Sequence, residues 1–277
     1  MSKQFPPPPV HPSKRELLKW TKGILRYYGL RPRKKLSQSF VVDPKLIHEV
    51  INWVKMFKPN VVYEIGAGIG TLTYYLCCSG DWRVIAVEVD ERYVPVLKGI
   101  RSHINADLEV VICDGLKEPF FKGYVDTVVS NTPYHISSKL LLALYRNDVK
   151  RMVLTLQNEV AERLNARPST KDYGRLTIIT QYLMECRLGN IYPPRSFFPA
   201  PKVSSRVVVL IRRRMFDEIA GRLEDLTRCL FSERNKVAIK VVRKCMRTVD
   251  EEVIKMLGAK RVRDLTLEDL LLLMKYI

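Results

Sequence analysis

Through residues 43–212, short apolar runs alternate with longer stretches whose apolar positions recur at helical spacing. The runs read as strands buried on both faces and the stretches as amphipathic helices. Strands are expected over residues 61–65, 84–89, 109–113, 125–130 and 152–156. Helices are expected over 43–57, from the Gly66–Gly70 turn to about Cys78, and over 91–104, 137–145 and 159–164. Residues 176–185 and 207–212 read as later strands or helix–strand transitions. Such alternation predicts a mainly parallel sheet covered on both faces. After Arg214 only helical spacing remains, which predicts a small second domain. The expected division is an N-terminal extension over 1–32, an α/β domain over 33–214 and a helical domain over 215–277.

The N-terminal dozen residues, with Pro6–Pro9 and Pro12, are expected to be extended and mobile. Ser13 followed by Glu16 is a capping-box pair, so a helix should start there, run to about Tyr28 and stop at Gly29. With 47% apolar and 27% charged residues, the chain is expected to fold as a globular protein. No apolar run approaches the roughly 18 residues of a bilayer span, and the N-terminus lacks the apolar region of a secretory signal. The six cysteines form no C-x-x-C pair, and they read as small buried hydrophobes in a reducing compartment, neither disulfide-bonded nor metal-bound. A cytoplasmic protein without a metal follows as the expectation.

Charge changes the picture most. The chain carries 47 Lys/Arg against 29 Asp/Glu, a net +18. Residues 1–40 hold ten cations against Glu16 alone, and residues 212–247 hold eleven against five acids. Together these two segments account for fifteen of the eighteen excess charges. A high-temperature composition would add both signs, whereas a one-signed excess suits a polyanion. Arg33, Lys34 and Lys35 precede the α/β domain, and Arg212, Arg213 and Arg214 close it. Beyond them Lys236, Lys240, Arg243, Lys244 and Arg247 recur at helical spacing over 234–247, opposite an apolar side. These cations are the candidates for contacts that position such a polyanion through its phosphates.

The chemistry is carried by strand ends. Glu64-Ile-Gly-Ala-Gly-Ile-Gly70 lies at the first strand-to-helix turn, where missing side chains let a ligand approach the backbone. Its spacing, G-x-G-x-G after an acid, differs from the dinucleotide fingerprint and matches S-adenosylmethionine sites. Glu88 ends Val84-Ile-Ala-Val-Glu88, where an acid can accept from two ribose hydroxyls. Asp114 ends Val110-Val-Ile-Cys-Asp114 and could accept from an adenine amino group. Ser130-Asn-Thr-Pro-Tyr134 ends the fourth strand. There an Asn131 side-chain oxygen and the Thr132 or Pro133 carbonyl suit the two N–H groups of a planar exocyclic amine, with Tyr134 as a stacking face.

Over roughly residues 33–214 the chain resembles the ribosomal RNA adenine N6,N6-dimethyltransferases. The resemblance rests on Lys34-Lys-Leu-Ser-Gln-Ser-Phe40, Glu64–Gly70, Glu88, Asp114, Asn131–Tyr134 with Ile136-Ser-Ser138, and Leu156-Gln-Asn-Glu-Val-Ala-Glu-Arg-Leu164. Tyr173-Gly-Arg-Leu176 and Phe197-Phe-Pro-Ala-Pro-Lys-Val-Ser-Ser205 separate this family from generic methyltransferases. It implies a Rossmann-like S-adenosylmethionine-dependent methyltransferase sheet with a small all-helical C-terminal domain. It also implies a cofactor site lined by Gln38, Glu64, Gly66, Gly68, Glu88, Asp114 and Asn131. Asn131, Pro133 and Tyr134 would hold the target adenine, with Phe197 flanking its other face. The implied substrate is two adjacent adenosines in a hairpin loop near the 3′ end of small-subunit rRNA, modified by a monomer on an immature subunit during ribosome biogenesis. Ser37 stands where the family has Gly, Ser39 where it has Asn or His, and Thr132 where Leu is common. The rivals are a DNA adenine methyltransferase and an rRNA-binding assembly or transcription factor that keeps the fold without turnover.

Overall fold

The computed structural model describes residues 5–117, 125–246 and 249–276. They divide into two compact units, one of residues 1–158 with 187–210, the other of 159–186 with 211–277. The second unit thus takes in 159–186 as well as the C-terminal helices.

The first unit begins with a proline-rich stretch that is extended but not free. The Trp20 indole donates to the Pro6 carbonyl (2.9 Å), the Tyr75 hydroxyl donates to that of Pro9 (2.6 Å), and the Phe5 ring packs 5.4 Å from that of Tyr27. Prolines bring no N–H to satisfy, so two side-chain donors suffice to lay this strap on the surface. Helix α1, Lys14–Tyr27, follows with both capping-box bonds in place and Leu17, Trp20, Thr21, Ile24 and Leu25 buried. Gly29, at φ +64°, adopts the left-handed conformation that ends it.

A seven-stranded sheet forms the body. Its strands are β2 (Val61–Ile65), β3 (Arg83–Glu88), β4 (Leu108–Ile112), β5 (Thr127–Asn131), β6 (Arg151–Gln157), β7 (Met184–Tyr192) and β9 (Ser205–Arg212), in the order β4-β3-β2-β5-β6-β9-β7. The first five are parallel, with Glu64 level with Ala86 and Val129, Glu88 level with Ile112, and Asn131 level with Thr155. Helices α2 (Pro44–Phe57), α3 (Thr71–Cys77), α4 (Val94–Arg101) and α5 (Ser137–Arg146) occupy the positions the periodicity predicts. Two short strands, β1 (Phe40–Val41) and β8 (Phe197–Phe198), form a separate antiparallel ladder, with Phe40 opposite Phe198 and Val41 opposite Phe197. Strand order reverses between β2 and β5, which opens a crevice at their carboxyl ends.

The second unit holds α6 (Asn158–Leu164), α7 (Arg175–Leu183), α8 (Glu218–Leu230), α9 (Ala238–Cys245), α10 (Glu251–Leu257) and α11 (Leu267–Leu273). The Tyr173-Gly-Arg-Leu176 block works here as scaffold. The Tyr173 hydroxyl donates to the Leu265 carbonyl at 2.9 Å, and the Arg175 guanidinium pairs with the buried Glu224 carboxylate. The reading of the cysteines needs correction. Cys229 and Cys245 form a disulfide between α8 and α9, and of the other four only Cys77 is buried. The two partners lie sixteen positions apart, and only the packing of their helices brings the Cα atoms within 5.9 Å. No helix among the described residues is long and apolar enough to cross a membrane.

Candidate active site

All ten residues assigned to cofactor or adenine line one pocket at the carboxyl ends of the parallel strands. Gly66, Gly68 and Gly70 all have positive φ. A Cβ on Gly68 would lie 2.9 Å from the Phe40 ring, so this turn admits no side chain there. The Gly68 N–H donates to Glu88 Oε2 at 2.6 Å, and Oε1 accepts from the N–H groups of Asp90 (2.8 Å) and Val89 (3.0 Å). The glycine turn and the end of β3, twenty residues apart in sequence, are therefore joined directly. Burial pushes the Glu88 carboxyl up, while these three N–H bonds favour its charged form.

Glu64, the last residue but one of β2, is buried and accepts from the Thr73 hydroxyl. Its carboxyl is pushed up to about 8 by burial, the Thr73 bond opposing and the Glu88 charge adding. The neutral acid is thus the stable form near pH 7. Because the folded protein holds this proton and the unfolded chain releases it, Glu64's contribution to stability is full below about 4.5 and is lost as pH rises toward 8. Relative to Glu64→Gln, the cofactor-free protein should lose on the order of 3–5 kcal/mol over that range. Urea melts of the two proteins across pH check this, and parallel curves would place Glu64 outside the titrating groups.

Gln38 lines the pocket with its side chain already committed. Its Nε2 donates to Asp90 Oδ2 (2.9 Å), and its Oε1 accepts from the Tyr93 hydroxyl (2.9 Å) and the Arg33 N–H (2.7 Å). Asp90 escaped the sequence reading, although it lies two residues past Glu88. It is buried, and the Arg92 guanidinium, chief among its partners, holds its carboxyl down at about 2. Asp90 therefore fixes the Gln38 segment from below. Ser37 has φ +48°, a left-handed conformation that explains the glycine usual there, and its hydroxyl meets His135 Nδ1 at 3.1 Å. The Ser39 hydroxyl donates to the Pro199 carbonyl at 2.6 Å.

Asn131 is the last residue of β5, and its Nδ2 donates to the Ser39 carbonyl at 2.7 Å. With the amide's N–H side engaged, Oδ1 is left as an acceptor in the pocket. The Pro133 carbonyl already accepts from the Ile136 N–H (3.1 Å). The Tyr134 hydroxyl is hydrogen-bonded to that of Ser205 at 2.7 Å, which fixes its ring. The β1–β8 ladder brings the buried Phe197 into the same pocket. Asp114 lines it too, its Oδ1 taking the Leu116 N–H at 3.0 Å. Among the described residues no His, Cys, Asp and Glu side chains converge as a metal site would require.

The basic candidates fare unevenly. Lys34 and Lys35 are exposed, while Arg33 pairs with Asp90 at 3.7 Å. Arg213 pairs with Glu185 (3.2 Å), Arg214 stacks on Tyr182 with its centroid 5.0 Å away, and Arg212 donates to the Arg214 carbonyl. The expected helix over 234–247 is shorter than its spacing suggested, beginning only at Ala238. Lys236 precedes it and Arg247 lies outside the described residues. Glu233 accepts from both Lys236 and Lys244, which hold its carboxyl down at about 2. Lys240 and Arg243 remain exposed on α9.

A parallel sheet reversing at β2/β5, a glycine turn at the crevice and acids ending the neighbouring strands define a Rossmann-like S-adenosylmethionine-dependent methyltransferase. Residues 29–277 match the ribosomal RNA adenine dimethylase family, and the chain belongs to that family. It is 39% identical to a probable ribosomal RNA small subunit methyltransferase A of Methanopyrus kandleri, over 76% of this chain and 75% of that one. It is 34% identical to the ribosomal RNA small subunit methyltransferase A of Listeria monocytogenes, over 78% and 77%. Among solved structures it is similar to a dimethyladenosine transferase from Plasmodium falciparum, with a TM-score of 0.70 and 27% identity over 86% of this chain and 96% of that one. The 23S rRNA methyltransferase ErmE gives a TM-score of 0.64 and 25% identity, over 85% and 98%.

Proposed function

We propose that this rRNA adenine dimethylase acts on small-subunit rRNA, methylating N6 of two adjacent adenosines in a hairpin loop near the 3′ end, on an immature subunit during ribosome biogenesis. The observation that carries the reading is Asn131, an amide whose N–H side is tied to Ser39 beside a glycine turn and two strand-end acids. The pocket fits S-adenosylmethionine. At Gly66 a Cβ would stand 3.8 Å from the Pro133 ring that lines the pocket, and Glu88 is a buried carboxyl whose Oε1 is filled by two N–H groups while Oε2, holding only the Gly68 N–H, keeps a lone pair for a ribose hydroxyl. Asp114 would take the adenine amino group, and Glu64 would face the methionyl end. Gln38 acts by holding the segment that covers the site.

When bound, the cofactor supplies an electrophilic methyl group. The chain's own task is to present a poor nucleophile in line with it. The target base leaves its stack and lies between Tyr134 and Phe197. Asn131 Oδ1 accepts one amine N–H and the Thr132 carbonyl the other, in preference to the Pro133 carbonyl, one of whose two lone pairs is held by Ile136. Pro133, at φ −59°, fixes the backbone immediately after both acceptors. These two bonds draw the amine nitrogen out of conjugation as the methyl arrives. Its proton becomes acidic only after transfer and goes to solvent, so no protein base is required. Lys34, Lys35, Lys240 and Arg243 would contact phosphates without reading sequence.

Labelled S-adenosylmethionine offered with immature small subunits, naked rRNA and duplex DNA tests this reading. Label is expected at adenine N6 of the small-subunit RNA. Transfer only to DNA, or cofactor binding without transfer to any substrate, would leave one of the two rivals standing.

A further inference from the structure

Helix α1 lies outside residues 29–277, the part matched to the family. Its buried stripe is Leu17, Trp20, Thr21, Ile24 and Leu25. Arg15, Lys19, Lys22 and Arg26, spaced four, three and four apart, fall within a narrow band on the opposite side. All four are exposed, and among the described residues none of them is ion-paired. The contrast with α9 is direct, because there Glu233 is ion-paired with both Lys236 and Lys244.

The helix is also firmly seated. The Lys14 ammonium pairs with Asp43 at 3.3 Å, the Trp20 indole holds Pro6, and beyond α1 the Arg92 guanidinium donates to the Arg31 carbonyl at 3.3 Å. Lys22 marks where the helix lies relative to the pocket: its Nζ stands 5.3 Å from the centre of the Phe198 ring. Phe198 pairs with Phe40, and its neighbour Phe197 lines the pocket. A row of uncompensated cations therefore runs from the rim of the active site across a rigid helix of the same unit.

We infer that the α1 stripe Arg15-Lys19-Lys22-Arg26 docks the phosphate backbone of the substrate RNA immediately beside the target adenosines. The inference rests on the reading of the pocket as an rRNA adenine site. Four cations along one helix face span about 16 Å, the length of roughly five nucleotides at helical rise. Contacts of this kind add affinity and fix register, and base choice stays with the pocket.

The test is the full-length variant R15Q/K19Q/K22Q/R26Q, with an in vitro transcribed 3′ fragment of small-subunit rRNA as probe. Cofactor affinity and melting temperature, measured alongside, establish that the variant is folded. RNA binding should weaken at least tenfold at low salt, and the slope of log K against log salt should become shallower by about 2–3. Hydroxyl-radical protection should be lost within about five nucleotides of the methylated adenosines, while kcat at saturating RNA stays unchanged. Affinity and salt slope equal to those of the wild type would overturn the proposal. So would unchanged RNA binding together with lost binding to phosphatidylserine vesicles, which would assign the stripe to a lipid surface. Binding is read independently of turnover. A wild type that binds the fragment with the α1-dependent slope yet transfers no label to it or to immature small subunits would count against the adenine-site reading alone.

Discussion

Replacing Asn131 by alanine is expected to lower kcat by about 10²–10³-fold, the loss seen when one fixed partner of a reacting group is removed. The residue is half-buried at a strand end, so truncation should leave the sheet intact. Two things disappear together: the Oδ1 acceptor for the amine, and the 2.7 Å bond that ties Nδ2 to the Ser39 carbonyl. Asn131→Asp separates them. It restores an acceptor but sets a carboxylate against that carbonyl, so its activity should stay near that of the alanine variant. Single-turnover transfer at saturating cofactor and RNA measures both. A kcat within tenfold of wild type for Asn131→Ala would remove Asn131 from the mechanism.

A large effect on stability is expected in the helical unit. The Glu224 side chain is only 4% exposed, and its close partner is Arg175. Arg228 stands 3.7 Å away with its side chain 57% exposed, too solvated to compensate. Arg175→Met therefore removes the close cation from a buried carboxylate, at a cost of about 3–5 kcal/mol. The double variant R175M/E224L removes the stranded charge as well and should recover most of that loss. Urea denaturation of wild type, single and double variants reads both. A single variant within 1 kcal/mol of wild type would show that Arg228 and water suffice for Glu224.

These two residues mark where the sequence was transparent and where it was not. Strands β2 to β6 were legible because their apolar runs are bounded by turns, and α1 because Ser13 and Glu16 announce its cap. The pocket was legible because its glycines, Glu88, Asp114 and Asn131 all sit at strand ends, which a parallel sheet gathers on one side. Asp90 was not, since its importance comes from Gln38 and Arg33, some fifty residues earlier. The Arg175–Glu224 pair and the Cys229–Cys245 bond likewise depend on which helices touch. The surroundings of the stripe over 234–247 were hidden for a related reason. Charge spacing reports where cations lie, but not that Glu233 would engage two of them. Strand β7 hid because Gly189 and two charged residues interrupt its apolar pattern.

The β1–β8 ladder also has a consequence for how the enzyme is made. Strands β2 to β6 and the glycine turn are complete once residue 157 has emerged from the ribosome. The pocket is not, because Ser39 finds its partner at Pro199, 160 positions on, and Tyr134 waits for Ser205. At ordinary translation rates, the forty-odd residues in between take roughly 2–10 s. The nascent chain therefore passes through a stage with its sheet laid down and its catalytic pocket unfinished. The lining of the pocket is completed late in synthesis, with the segment that carries Phe197.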